Sequence, residues 1–193
     1  MKTLTQLYNE NPSTYLGTDK EMNCHHYLSR LYDNVFPKYQ DKNINMLEIG
    51  LALGGSILLW RDYFPNAQIY GVSLDSDTGF NQCIENLKNV PNFTLKGCDA
   101  YTKEAADLLP NFDIIIDDGP HTFDSHIALL DLYMPKLNPG GVLIIEDIAD
   151  INWCNQYISK LNQEYNNQAY YTIVDTARIL EYNSLVFMVN KLC

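Results

Sequence analysis

The sequence predicts an α/β domain built on a mostly parallel sheet with helices on both faces. Short aliphatic runs recur from residue 44 onward, and segments with helical patterning separate them. The runs at 114–116 and 142–145 are continuously apolar, which is typical of strands buried on both faces. Repeated strand–helix units connect through right-handed crossovers, so most of the strands should be parallel.

Residues 1–43 are predicted as a polar helical segment on the substrate side of the fold, not as an independent domain. A short helix at 4–8 ends before Pro12, and a second helix is expected at 22–36. The apolar stripe of the second helix consists of Leu28, Leu31, Tyr32 and Val35.

Strands and helices alternate through the second part, residues 44–193. Ser56 begins the first of these helices and Pro65 ends it, while Pro110 ends a later one. The predicted strands lie at 44–50, 68–75, 93–98, 112–117, 141–147, 171–174 and 185–190. The predicted helices lie at 55–64, 78–88, 103–109, 122–134 and 151–165. The last two strands form a pair, which predicts one antiparallel member at the edge of the sheet.

Composition restricts the class of protein. A chain of 193 residues is long enough for one domain, and 46% hydrophobic against 19% charged residues excludes general disorder. The formal charge of −11 argues against binding to nucleic acid or to an anionic membrane. Five cysteines without a CxxC pair favour free thiols. No apolar stretch approaches the roughly 18 residues of a membrane span, so we expect a cytoplasmic protein.

A glycine-rich turn follows the first predicted strand. Gly50, Gly54 and Gly55 let the backbone approach a ligand closely, and Ser56 begins the next helix with free N–H groups. The spacing is not GxGxxG and no lysine follows, which disfavours an NAD site and excludes a phosphate loop. A nucleoside-binding loop and a simple tight turn both remain open from this motif alone.

Two further aspartates follow the next two strands. Asp75, on the same side of its strand as Ser73, is a candidate for the ribose hydroxyls of a nucleotide. Asp99 follows the third strand and is a candidate for an adenine amino group. Solvated turn aspartates are the alternative at both positions.

Four acids follow the two buried strands. Asp117 and Asp118 end one of them, and Glu146 and Asp147 end the other. Carboxylates that converge at one sheet edge repel each other unless a cation or protons neutralise them, and oxygen ligands with open positions suit Mg²⁺. Strand alternation separates the members of each pair, so not all four need bind one metal. Helix capping is the alternative role for these acids.

Histidine supplies a candidate base beside the acids. His121 lies three residues beyond Asp118, where a neutral imidazole can accept a proton. His126 is expected to be structural or in the outer part of the site. His25 and His26 are adjacent and face different directions, which favours packing roles.

Taken together, these motifs resemble the macrocin O-methyltransferase family, over roughly residues 14–190. They are EIG at 48–50, GGS at 54–56, WRDYFP at 60–65, DDGPH at 117–121 and EDI at 146–148, with GTDK at 17–20 and HHY at 25–27 before them. Enzymes of this family have a Rossmann-like class I fold, use S-adenosylmethionine and a metal ion, and methylate sugar hydroxyls. Proteins named cephalosporin hydroxylases are similar to them.

The resemblance implies roles for individual residues. The candidate cofactor-binding residues are Glu48, Gly50, Gly54, Ser56, Asp75, Asp99 and Asp117, with Asp117 in a supporting role. Asp118, Glu146 and Asp147 would hold Mg²⁺, and His121 would be the general base. The family usually has an acid where this chain has Ser73, so ribose binding either moves to Asp75 or weakens. Pro120 stands where serine is commoner in the family.

We therefore expect an S-adenosylmethionine-dependent and Mg²⁺-dependent O-methyltransferase with a seven-stranded sheet. The expected partner is a small-molecule acceptor, a sugar or nucleotide-sugar, and a homo-oligomer is compatible with the sequence. Residues 1–43, 148–156 and 175–184 are expected to shape the acceptor pocket. Two alternatives stay open: a metal-dependent hydroxylase-like enzyme, and a cofactor-binding domain without catalysis.

Overall fold

A seven-stranded sheet forms the centre of the computed structural model, which describes residues 2–21, 25–176 and 185–193. The strands are β1 Asn45–Ile49, β2 Gln68–Ser73, β3 Phe93–Gly97, β4 Phe112–Asp117, β5 Leu137–Ile148, β6 Ala169–Asp175 and β7 Leu185–Lys191. The helices are α1 Leu4–Glu10, α2 Asp33–Val35, α3 Gly55–Tyr63, α4 Phe80–Leu87, α5 Lys103–Asp107, α6 Phe123–Tyr133 and α7 Ile151–Glu164. Cys24 and residues 177–184 of the expected acceptor-pocket segment lie outside the described residues.

The order of the strands is β3-β2-β1-β4-β5-β7-β6. The pairs formed among β1 to β5 are parallel, and β7 runs antiparallel to both of its neighbours. The predicted α/β class with a mostly parallel sheet is confirmed. The antiparallel strand lies one place inside the edge, because β6 pairs along its outer side. The chain reverses its direction of progress between β1 and β4, and ligands of open α/β sheets bind at such a point.

The central strands are buried on both faces. Ile114 and Ile116 of β4 pack into one apolar cluster, and Ile115 between them packs into the other. The first cluster includes Tyr32 from the N-terminal segment and Trp60 from α3. Successive side chains of a strand point to opposite faces, so an aliphatic run without polar interruptions supplies both layers.

The N-terminal segment differs from the single helix expected at 22–36. Within the range 22–36 the structure describes a π-helix at Leu28–Tyr32 that continues into α2. The Asp33 N–H donates to the Leu28 carbonyl, five residues earlier. The wider turn of a π-helix brings residues five positions apart onto the same face of the helix. Tyr27 and Tyr32 are such a pair, and both contact acids at the end of β5.

None of the helices in the described ranges has the length and apolar character required to pass through a lipid bilayer.

His126 of α6 links this helix to α7, and both helices pack against the apolar cluster that contains Ile115. Its Nδ1 lies 2.7 Å from the Tyr157 hydroxyl of α7, and its side chain is buried. Burial, with a smaller contribution from the charge of His121, lowers the pKa of His126 from 6.5 to about 4. The position agrees with the structural role expected for this residue.

Acid should therefore weaken the fold through His126. A base whose pKa is lower in the folded than in the unfolded state contributes stability above its unfolded pKa, and that stability is lost as the pH falls toward the folded pKa. Between pH ~7 and ~4.5 the wild type should lose about 2 to 3 kcal/mol more than His126→Gln. Urea unfolding at several pH values measures this difference. Parallel pH profiles for the two proteins would show that folding does not lower the pKa of His126.

Candidate functional site

A cavity of about 870 Å³ opens at the carboxyl ends of the parallel strands. The turn after β1, the end of β2, the loops after β3 and β4, and the end of β5 form its walls. Residues 16–19 of the N-terminal segment complete them. A concave site of this size at the point where strand order reverses is typical of a ligand pocket.

The glycine turn lines this cavity at Gly50 and Ser56. Gly50 has a φ of +82°, and a Cβ atom there would lie 1.9 Å from the Asp118 carbonyl oxygen. Only glycine allows the two loops to approach so closely. Gly54 also has a positive φ and precedes α3, but it packs against Leu87 and does not line the cavity.

Glu48 lies behind the cavity wall and not on it. Its side chain is fully buried, and it accepts a hydrogen bond of 2.7 Å from the Trp60 indole. Its other oxygen is 3.3 Å from the Lys20 ammonium. Burial raises the pKa of Glu48, although Lys20 opposes that rise. In the structure Glu48 therefore contacts protein groups, whereas the family resemblance implied contact with the cofactor.

The end of β2 presents a different aspartate from the expected one. Asp75 is exposed and does not line the cavity, whereas Asp77 does. The Ser73 hydroxyl donates to Asp77 Oδ2 at 3.2 Å, and Ser73 lines the same wall. The strand ends at Ser73, so strand alternation does not extend to Asp75. Asp99 lines the cavity as expected and accepts a hydrogen bond from the Tyr101 N–H.

Asp117 and Asp118 have separate surroundings, as alternation predicted. Asp118 lines the cavity, while Asp117 is buried outside the lining and accepts a hydrogen bond from the Tyr101 hydroxyl. Burial raises the pKa of Asp117 to about 7, the Tyr101 hydrogen bond opposes the rise, and the nearby Asp118 adds to it. Asp117 therefore holds Tyr101, which lines the cavity, in place from outside the cavity.

The two acids at the end of β5 also diverge. Asp147 lines the cavity, accepts a hydrogen bond from the Tyr27 hydroxyl and has a φ of +55°. Glu146 is fully buried outside the lining, where it contacts Lys20 and accepts a hydrogen bond from the Tyr32 hydroxyl. A non-glycine residue with positive φ is strained, and such strain is often found at functional sites.

Three side chains around the cavity could hold a metal ion. One ligand atom from each of Asp118, His121 and Asp147 lies within 4.8 Å of the others. His121 Nε2 is 3.7 Å from an oxygen of each aspartate, and its backbone φ is +52°. Two carboxylates and an imidazole, on a cavity wall that leaves room for water or substrate, fit a divalent cation such as Mg²⁺. Of the predicted metal-binding acids, the structure brings Asp118 and Asp147 into this group and leaves Glu146 outside it.

The role of Lys20 was not indicated by the sequence, although this residue ends the GTDK motif at 17–20. Its Nζ lies 2.6 Å from Glu146, 2.8 Å from Asp118 and 3.3 Å from Glu48, and the side chain is 1% exposed. Burial alone would lower the pKa of Lys20, but the three carboxylates more than compensate and the pKa is raised well above its usual value. Lysine is almost never fully buried unless it is paired, and the polar segment around Lys20 gives no sign of burial.

Comparison with known proteins identifies a matching family and similar sequences. A family model described as a methyltransferase domain matches residues 47–148, more than half of the chain. Demethylmacrocin O-methyltransferase of Streptomyces fradiae is 32% identical over 136 residues, which cover 66% of this chain and 33% of the relative. Mycinamicin VI 2''-O-methyltransferase of Micromonospora griseorubida is 30% identical over 138 residues, with 66% and 33% coverage. The chain thus matches about a third of the length of these relatives.

Solved structures agree on the fold. The methyltransferase MycE of the mycinamycin biosynthetic pathway, in complex with Mg and SAH, superimposes with a TM-score of 0.72 at 23% identity. The match covers 99% of this chain and 55% of MycE. An O-methyltransferase structure from Klebsiella pneumoniae gives a TM-score of 0.65 at 18% identity, covering 98% of this chain and 90% of that protein.

Proposed function

Because this chain belongs to the methyltransferase domain family, we propose that it transfers a methyl group from S-adenosylmethionine to a hydroxyl of a sugar or sugar-containing small molecule, aided by a divalent cation. The observation that carries the proposal is the joint lining of one cavity. The glycine turn at Gly50 forms one part of the wall, and the Asp118, His121 and Asp147 group forms another. A cofactor held at the first part would face a reacting hydroxyl held at the second.

The cofactor half of the site uses the backbone and two aspartates. Gly50 lets the cofactor approach the end of β1, and Ser56 lines the same wall in the first turn of α3. Asp77 and Asp99 also line the cavity. Asp77 would accept hydrogen bonds from the ribose hydroxyls, and Asp99 would accept one from the adenine amino group. S-adenosylmethionine supplies a methyl group that is already activated as a sulfonium.

The acceptor half of the site holds and deprotonates the hydroxyl. Asp118 and Asp147 would hold the cation, which when bound lowers the pKa of a coordinated hydroxyl. His121 Nε2, on the cavity wall beside both aspartates, accepts the hydroxyl proton. Positioning supplies much of the remaining acceleration, since methyl transfer needs no covalent enzyme intermediate.

The acceptor class is supported by the names of the relatives. One is an 8-demethyl-8-alpha-L-rhamnosyl tetracenomycin-C 2'-O-methyltransferase of Streptomyces olivaceus, 29% identical over 145 residues that cover 71% of this chain and 36% of that relative. Its name places the methyl group on an oxygen of a rhamnosyl compound. A sugar hydroxyl beside a second oxygen would also suit chelation by a divalent cation.

Methyl transfer from radiolabelled S-adenosylmethionine to a panel of rhamnosides and nucleotide-sugars tests this function. Label should reach at least one acceptor with Mg²⁺ present and should stay in the cofactor after EDTA treatment. The reaction should proceed without oxygen, whereas a hydroxylase would require it. Cofactor binding without transfer to any acceptor in the panel would favour the non-catalytic alternative.

Asp77 should be the carboxylate that binds the cofactor ribose. Asp77→Asn should raise the Kd for S-adenosylhomocysteine by about 10- to 150-fold, because a charge-assisted hydrogen bond contributes about 1.5 to 3 kcal/mol. Asp75→Asn, two residues away and equally exposed but outside the cavity lining, is the matched control and should bind normally. Calorimetry measures both. A larger loss for Asp75→Asn would return the ribose contact to the residue first expected.

A further inference from the structure

We propose that the buried ammonium of Lys20 shares Asp118 with the divalent ion and lowers the affinity of the acid site for that ion. This inference rests on the cation site of the proposed function. It assigns to Lys20 the role of a positioning residue, acting through the carboxylates it contacts.

The contacts of Lys20 reach three neighbouring strands. Glu48 belongs to β1, Asp118 follows β4 and Glu146 belongs to β5, and these three strands lie side by side in the sheet. Among the residues the structure describes, no other lysine or arginine forms an ion pair with these acids. The ammonium therefore neutralises the inner side of the acid cluster, away from the cavity.

The backbone and neighbouring tyrosines hold Lys20 in this place. The Lys20 carbonyl accepts hydrogen bonds from the N–H groups of Tyr27, at 2.9 Å, and Leu28, at 3.3 Å. The Tyr27 and Tyr32 hydroxyls donate to Asp147 and Glu146 of the same acid cluster. Because Lys20 is held both at its backbone carbonyl and at its ammonium, the ammonium should stay with the acids when a second cation binds.

Asp118 is the point where the two cations would meet. Its Oδ2 contacts the Lys20 ammonium at 2.8 Å, while its Oδ1 is 3.7 Å from His121 on the cavity side. A fixed positive charge on one oxygen reduces the charge that the other can offer to a divalent ion, and the two cations repel each other over a few ångströms. Lys20 thus keeps the Asp118 carboxylate in one orientation and weakens the binding of the divalent ion to that carboxylate.

Titration of Mn²⁺ by calorimetry, without acceptor or cofactor, tests the proposal. Lys20→Met should bind Mn²⁺ at least about tenfold more tightly than the wild type, because one repelling charge is gone. Lys20→Arg keeps the charge and should stay within about threefold of the wild type. Lys88→Met is the matched control: it removes a surface lysine paired with Glu85, and should bind like the wild type. Equal or weaker binding by Lys20→Met would overturn the proposal.

Stability gives a second readout if Lys20→Met is poorly folded without metal. An ion at concentration c that binds only the folded state stabilises it by RT ln(1 + c/Kd), so tighter binding gives a larger stabilisation at the same ion concentration. Adding Mn²⁺ at constant ionic strength should therefore raise the Tm of Lys20→Met more than that of the wild type. A smaller or equal rise would count against the role of Lys20.

The results also separate this inference from the proposed function. Mn²⁺ binding by Lys20→Met but not by the wild type supports the role of Lys20 and contradicts an effective cation site in the native chain. Equal binding by both overturns only the role of Lys20. Absence of binding in both overturns the cation site together with this inference.

Discussion

Replacing Asp118 with asparagine is expected to lower Mg²⁺-dependent methyl transfer by about 10³-fold, since loss of the cation removes several kcal/mol of transition-state stabilisation. Asparagine keeps the shape of the side chain and an oxygen that can still contact Lys20, but it loses the charge that a cation needs. The measurement is the rate of label transfer to the best acceptor of the panel, with Mn²⁺ affinity followed in parallel by calorimetry.

The same variant should bind S-adenosylhomocysteine within about threefold of the wild type, because the cofactor wall is formed by other loops. Asp107→Asn is the matched control, since Asp107 pairs with Lys103 on the protein surface, and it should transfer methyl groups normally. Wild-type turnover by Asp118→Asn would remove this aspartate from the cation site.

Replacing His121 with glutamine should have the second largest effect. Loss of a positioned general base is expected to reduce kcat by about 10²- to 10⁴-fold. A base is not needed to hold the ion, so Mn²⁺ affinity should change little if His121 acts as proposed. Steady-state rates and Mn²⁺ calorimetry on one preparation give both quantities.

His121 also lies within ligand distance of the metal group, so the calorimetry decides between two roles. A fall of more than about tenfold in Mn²⁺ affinity would make His121 a ligand and leave the proton acceptor to be found elsewhere. His26→Gln is the control, because His26 lies near Glu21 outside the cavity lining and should leave both quantities unchanged.

The strand layout could be predicted from the sequence because its signals are local. An aliphatic run such as Ile114–Ile116 is typical of a central strand that is buried on both faces, and it lies in β4 as expected. The positions of the acids follow from the ends of the strands, so Asp118 and Asp147 were found beside the cavity. The glycine turn was located for the same reason, although only the close approach of Gly50 to Asp118 shows why glycine is required.

The contacts inside the site could not be predicted, because they join residues far apart in sequence. Lys20 meets Glu146 across 126 positions, and no periodicity encodes that pairing. The family resemblance assigned Glu146 and Asp147 to the same ion, yet Lys20 and Tyr32 hold Glu146 behind the cavity wall. The choice between Asp75 and Asp77 depended on where β2 ends, and a two-residue error at a strand end moves the ribose contact to another side chain.

The direct test of the account is a calorimetric titration of S-adenosylhomocysteine into the wild-type protein. The cavity formed by the glycine turn, Asp77 and Asp99 should bind one molecule per chain with a Kd in the micromolar range, and Asp77→Asn should weaken that binding. No detectable heat of binding at ~1 mM ligand would contradict the assignment of this cavity as a methyl-donor site, and with it the proposed methyl transfer.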